Sequence, residues 1–117
     1  ASVVAAFDKI AVIARDMRET LERGDWHATG QALAAEWTNR KQLAPGVTTP
    51  AIDDLLARAA SAGAWAGKVC GAGGGGCLFC LTPPERHADV SAALAAGGAR
   101  VLPFTIDTDG VQLTEEA

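Results

Sequence analysis

The sequence predicts an α+β domain, with a helical first half followed by a small, mostly antiparallel sheet and a crossing helix. Three observations carry this reading. Apolar residues recur at three- and four-residue steps as far as Gly63; two short β-type runs then flank a glycine-rich loop; and after one more helix the chain alternates with a period of two. At 117 residues the chain suffices for one compact domain and is too short for two ordinary ones, so a single domain over 1–117 is expected.

The first helix runs from about Ser2 to Arg23, with Val4, Phe7, Ile10, Ala11, Ala14, Met17 and Leu21 as its apolar stripe and Arg15–Glu19 and Glu19–Arg23 as i,i+4 charge pairs. Gly24 suits the position that ends it. Asp25 then caps a second helix marked by Trp26, Leu33 and Trp37, which stops before Ala44-Pro45-Gly46. Thr49-Pro50 opens a third, with Asp53 and Asp54 near the positive end of its dipole and Ile52, Leu55, Leu56, Ala59 and Ala60 on one face. Lys68-Val69-Cys70 and Cys77 to Leu81 read as two short buried strands joined by the glycine loop. Thr82-Pro83-Pro84-Glu85 reads as a capping box for a helix through Val90 and Leu94, closed by Gly97-Gly98. Arg100 to Ile106 and Val111 to Leu113 read as two further strands turned by Asp107-Thr108-Asp109-Gly110. Pro103 puts the first of them at an edge or a bulge.

Twenty-five alanines against three Trp and three Phe mean that the 49% apolar content overstates the bulk available to the core. Trp26, Trp37 and Trp65 are expected to supply it. The formal charge of −4, with no basic stripe, argues against a nucleic-acid partner. The longest near-apolar stretch, Ala60 to Leu81, is broken by Lys68, glycine and serine, and the N-terminus has no basic leader, so no membrane partner is expected. Three cysteines without framework spacing fit free thiols in a reducing cytoplasm. The opening at Ala1 rather than Met reads as a fragment or a trimmed chain.

Chemistry concentrates in Gly67-Lys68-Val69-Cys70-Gly71-Ala72-Gly73-Gly74-Gly75-Gly76. Gly71, Gly73 and Gly76 fit G-x-G-x-x-G, but a dinucleotide fingerprint leads into a helix and this one leads into a β-type run. A Walker A loop needs its lysine after the glycines, whereas Lys68 precedes them. What remains is a backbone free to adopt positive φ and to press successive N–H groups against an anion or another backbone; a plain inter-strand connection is the bland alternative. Cys77 and Cys80 form C-x-x-C, with Cys70 and His87 in sequence reach. Strand residues three apart point to opposite faces, so no metal site is expected and the cysteines are read as buried structural thiols.

The same run resembles the third, C-terminal motif of the GHMP kinases, closest to their D-glycero-D-manno-heptose 7-phosphate kinases. Further features stand in the family's order: Glu36-Trp37, then Lys41-Gln42-Leu43, then Gly46-Val47-Thr48-Thr49-Pro50-Ala51-Ile52-Asp53, then Ala62-Gly63-Ala64. The resemblance covers about Val3 to Leu113. It implies a ferredoxin-like C-terminal domain of an ATP-dependent sugar kinase, with Gly71, Ala72, Gly73, Gly74, Gly75 and Lys68 supporting the ATP-phosphate site. Arg40 and Lys41, beside the turn before Thr49, are candidates for a sugar-phosphate substrate. ATP and Mg²⁺ would be cofactors of the full-length enzyme, and the partner would be the N-terminal kinase domain of the same polypeptide. The family's serine-rich ATP loop and the segment bearing its catalytic Asp are absent from these residues, so this stretch alone is expected to be inactive and to bind no cofactor. The alternative is a non-catalytic interaction or regulatory module that keeps the fold.

Overall fold

A chain reversal after the first helix sets the layout. In the computed structural model, which describes residues 2–116, α1 (Ser2–Arg23) ends at Gly24, whose φ of +69° glycine adopts without steric cost. Asp25 caps α2 (Trp26–Arg40) by accepting a hydrogen bond from the Ala28 amide at 3.1 Å. The two helices pack together through buried Ala6, Thr20 and Thr29. There the Thr29 hydroxyl donates to Thr20 at 2.8 Å, and the Thr20 hydroxyl donates to the Met17 carbonyl at 2.9 Å, so neither polar group is left unpaired. The apolar stripe expected on α1 is thus only partly used. Val4, Phe7 and Leu21 stay exposed because the seam with α2 runs through Ala6 and Thr20, a different line on the cylinder.

Thr49 caps α3 (Pro50–Ser61), accepting from the Ile52 amide at 3.3 Å, with Pro50 at the first helical position. The chain then enters β1 (Ala66–Val69), which pairs antiparallel with β2 (Leu78–Leu81) in the register Ala66–Leu81, Gly67–Cys80, Lys68–Phe79 and Val69–Leu78. A lone two-stranded hairpin is marginal in water. This one is held by Val69, only 2% exposed, which packs with Trp37 of α2, Ile52 of α3 and Val47 from the intervening loop, flanked by Leu56 and Leu78. After a short 3₁₀ turn (Pro84–Arg86), α4 (His87–Ala96) lies against α3 and buries Val90.

The α+β arrangement therefore stands, with four corrections to its details. The capping box does not form: Pro83 is held extended at φ −55°, ψ 139° by the proline that follows it, so the chain turns only from Pro84 and α4 starts at His87 without a side-chain cap. Arg100 to Ile106 and Val111 to Leu113 form no strands. Pro103 lacks a ladder donor, and the alternating side chains find no sheet edge or face, leaving Phe104, Ile106, Val111 and Leu113 at 77–95% exposure. Of the tryptophans, Trp37 fills the core, Trp65 is half-buried with its ring edge-on to His27, and Trp26 is exposed on the opening turn of α2. Cys70 and Cys77 are exposed and Cys80 is half-buried, because the strands end at Val69 and begin at Leu78 and leave the first two thiols at the loop.

The core assignment predicts a contrast between two tryptophans. Trp37→Ala is expected to cost about 3–5 kcal/mol in chemical denaturation, whereas Trp26→Ala, at an exposed site, should stay within about 0.5 kcal/mol. Equal losses for the two variants would contradict the packing described.

Candidate functional site

The neck of the glycine loop continues the ladder by one step: beyond Val69–Leu78, the Cys70 amide donates to the Cys77 carbonyl at 2.8 Å. Between them Gly71, Gly73, Gly74, Gly75 and Gly76 take positive φ, and Ala72 does not. One side of the loop is seated. The Gly74 amide donates to the Val47 carbonyl at 2.9 Å, and a Cβ built on Gly73 would lie 2.5 Å from that oxygen, so Gly73 is required by backbone-to-backbone approach as well as by its φ of +93°. The other side is open. A Cβ on Gly71, Gly75 or Gly76 would meet nothing within 4 Å. Among the described residues, the amides of Gly71, Ala72, Gly73, Gly75 and Gly76 have no protein acceptor. Amides left without a protein acceptor along a run of positive φ suit an anion.

Lys68, two residues before the neck, does not stand free beside the loop. Its ammonium lies 2.8 Å from Glu36 Oε2, with both side chains largely buried. Oε2 is withdrawn from solvent, and the contact is ionic rather than a well-directed hydrogen bond. Arg40, one helical turn beyond Glu36, donates from Nε to Oε1 at 2.6 Å. Two cations read separately from the sequence, one for the phosphate side and one for substrate, therefore meet on a single carboxylate. Burial opposes the ionisation of Glu36, but the hydrogen bond from Arg40 and the positive charges of Lys68 and Arg40 outweigh it and hold the carboxyl below its usual 4.5.

Lys41 parts company with Arg40. Its ammonium sits 5.8 Å from the Trp37 ring centroid, at the mouth of a cleft of ≈ 280 Å³ whose lining includes Asp53, Leu56, Gly67 and Cys80. The glycine loop is not part of that cleft. At the turn before α3 the Thr48 hydroxyl donates to Asp53 Oδ1 at 2.6 Å, fixing the chain that carries Val47. Among the described residues no three His, Cys, Asp or Glu side chains group as metal ligands, and no helix is long and apolar enough to cross a membrane.

In the sequence Glu36 stands only as half of the Glu36-Trp37 motif; in the structure it is the hub of these ion contacts. The Glu36–Arg40 spacing of four was a visible signal; the reach of Lys68 to α2 was not, since it depends on how β1 docks. Val47 as the seat of the loop had no local signal at all.

Residues 17–100 match the family described as GHMP kinases C terminal. A mevalonate kinase of Thermococcus onnurineus is 36% identical over 70 residues, which cover 60% of this chain and 21% of that protein. A mevalonate kinase of Pyrococcus furiosus matches to the same extent. A D-glycero-alpha-D-manno-heptose 7-phosphate kinase of Campylobacter jejuni is 29% identical over 96 residues, covering 82% of this chain and 28% of that protein. The chain thus corresponds to about a quarter of the length of the relatives it matches.

The ion contacts predict a specific acid response. Because the folded pKa of Glu36 lies below its ordinary value, the stabilisation is complete above that value and is lost as pH falls through the folded one. Glu36→Gln is expected to cost about 1.5–3 kcal/mol near neutrality, and the gap from the parent should close on acidification in denaturation curves taken between pH 7 and 2.5. A gap that stays constant with pH would show that the carboxylate charge contributes nothing.

Proposed function

The chain belongs to the GHMP kinase C-terminal family, and from that premise we propose that it forms the C-terminal domain of an ATP-dependent phosphotransferase acting on an alcohol of a small phosphorylated sugar. One observation carries the reading: the glycine loop is seated on Val47 through Gly73 and Gly74, and the amides of Gly71, Ala72, Gly73, Gly75 and Gly76 have no protein acceptor. Such amides hold phosphate oxygens without any side chain and without reorganising during transfer.

In this proposal Gly71, Ala72, Gly73, Gly74 and Gly75 support the nucleotide phosphates, Gly74 by holding the loop on Val47 and the others through their free amides. Lys68 acts through the protein, anchoring the strand that enters the loop onto Glu36 of α2. Mg²⁺ bound with ATP would supply positive charge against the phosphates; in this proposal its protein ligands belong to the N-terminal kinase domain, as among the described residues no three His, Cys, Asp or Glu side chains group as metal ligands. The serine-rich ATP loop and the catalytic acid belong to the N-terminal kinase domain of the same polypeptide. Support for such a partner comes from apolar residues left uncovered here, Phe7 and Val12 on α1 and Phe104, Ile106 and Val111 in the last segment. Arg40 and Lys41 remain proposals for substrate contact, with Lys41 the better placed because Arg40 is engaged by Glu36.

A heptose phosphate is favoured as acceptor because the Campylobacter heptose 7-phosphate kinase aligns over the larger share of the chain. The higher identity of the Thermococcus and Pyrococcus mevalonate kinases supports mevalonate as the second reading. Assaying the full-length polypeptide with Mg-ATP and each acceptor separates them: turnover of the heptose phosphate is expected, turnover of mevalonate alone would reverse the assignment, and phosphorylation of neither would favour the non-catalytic module. The isolated 117-residue chain is expected to turn over neither acceptor.

Gly71→Val in the full-length polypeptide tests the loop itself. The residue has φ +76° and open space where a side chain would project, so the fold should bear the change at about 1–2 kcal/mol of backbone strain. The side chain would intrude where phosphate is proposed to sit. A misplacement of about 1 Å is expected to lower kcat and apparent ATP affinity by up to about a hundredfold, with acceptor binding in the absence of nucleotide unchanged. Normal kinetics in the folded variant would remove the phosphate assignment.

A further inference from the structure

We propose that Cys70 and Cys77 are a thiol-modification site, closing into a reversible disulfide across the neck of the glycine loop. The two residues occupy the next register position after Val69–Leu78 and are tied by the Cys70 amide to Cys77 carbonyl bond of 2.8 Å. Cys70 and Cys77 lie one residue outside the paired strands and share the last of the cross-strand hydrogen bonds; opposed antiparallel residues have Cα atoms about 4.5–5.5 Å apart, within the roughly 4.4–6.8 Å that a disulfide spans. Their side chains leave the hairpin on the same face. Both are exposed, so a soluble oxidant reaches them. The register is not free to slip, because Val69 on one strand is buried in the core and Leu78 on the other packs against it.

Cys80 is excluded by the same geometry. It stands three residues from Cys77, hence on the opposite face, and its cross-strand partner is Gly67, which has no side chain to offer. Burial also pushes the Cys80 thiol up, which keeps it protonated and slow to react.

The oxidant is a low-molecular-weight disulfide. One cysteine thiolate attacks a sulfur of that disulfide, forming a mixed disulfide and expelling one small thiolate. The second cysteine thiolate then attacks the protein sulfur and expels the other. Two protein thiols are oxidised, losing two electrons and two protons, and the small disulfide is reduced to two thiols, so the exchange balances. An exposed cross-strand disulfide is of the labile kind that a dithiol reverses. Once formed, it ties the two ends of the 71–76 segment together and restricts the backbone that carries the unpaired amides. The effect of that restriction on ATP rests on the phosphate reading proposed above; the disulfide does not.

The test treats the purified 117-residue chain with oxidised glutathione and follows intact mass, free thiols and non-reduced peptide maps. The expected product has lost two hydrogen atoms, links the peptides containing Cys70 and Cys77, retains one free thiol of the three, at Cys80, and returns to three with a dithiol reductant. Cys80→Ser should give the same link, and Cys70→Ser should stop at a glutathione adduct on Cys77. Persistent adducts on the parent chain, a Cys77–Cys80 link or covalent dimers would overturn the proposal. In the full-length polypeptide, oxidation should lower ATP affinity at least tenfold in the parent and leave the double variant Cys70→Ser/Cys77→Ser, which can form neither the disulfide nor an adduct at the neck, unaffected. A disulfide that forms without moving ATP affinity would overturn the phosphate reading of the loop while the modification site stands.

Discussion

The approach of the glycine loop to the backbone at Val47 is the contact on which the rest of the site depends. At Gly73 the separation is too small for any Cβ, and at Gly74 the same carbonyl accepts an amide hydrogen bond, so the loop is positioned by main chain rather than by side-chain packing. Main-chain contacts of this kind fix position without adding bulk. They leave the opposite side of the loop bare, with donors whose partner must come from water, a ligand or another part of the polypeptide. Val47 in turn is fixed twice, by burial beside Trp37 and Val69 and by the Thr48–Asp53 hydrogen bond that steadies the entry to α3.

A second constraint acts through charge. Glu36 is largely withdrawn from water, and an uncompensated carboxylate there would be strongly disfavoured. Arg40 on the same helix and Lys68 on β1 supply the compensation, so the interaction joins α2 to the strand that leads into the loop. Lysine is thereby a strut for the loop's entry strand, which accounts for its place ahead of the glycines rather than after them. The hairpin, too short to be stable alone, is held on one face by the Val69 cluster and at Lys68 by this ion pair.

The sequence made the helices legible because their signals are local. Asp25, Thr49-Pro50 and Gly24 act within one turn of the residues they organise, and each does what its chemistry predicts. Expectations went astray where a local signal needed a distant partner. Phe104 and Ile106 alternate like a strand, yet alternation describes only what a segment would bury if an edge were available. Thr82 and Glu85 spell a capping box, but the consecutive prolines between them hold the chain extended for one residue too long. Val4 and Phe7 fit the helical period, while small Ala6 and hydroxyl-bearing Thr20, unremarked by hydrophobicity, form the seam. At the site, the glycine run was evident from composition alone. Its seat on Val47 and the convergence of Arg40 and Lys68 on Glu36 arise from tertiary packing and had no complete signature in the chain.

The loop is bound to this domain through the Gly74 amide, and its remaining amides are proposed to bind phosphate. Amide NMR of the full-length polypeptide with a non-hydrolysable Mg-ATP analogue tests that assignment most directly. The Gly74 amide should be protected from exchange before nucleotide is added and keep its shift afterwards, while the amides of Gly71, Ala72, Gly75 and Gly76 should shift and gain protection on binding. Saturating nucleotide binding that leaves those four amides unmoved, or an unprotected Gly74 amide in the free protein, would contradict the assignment.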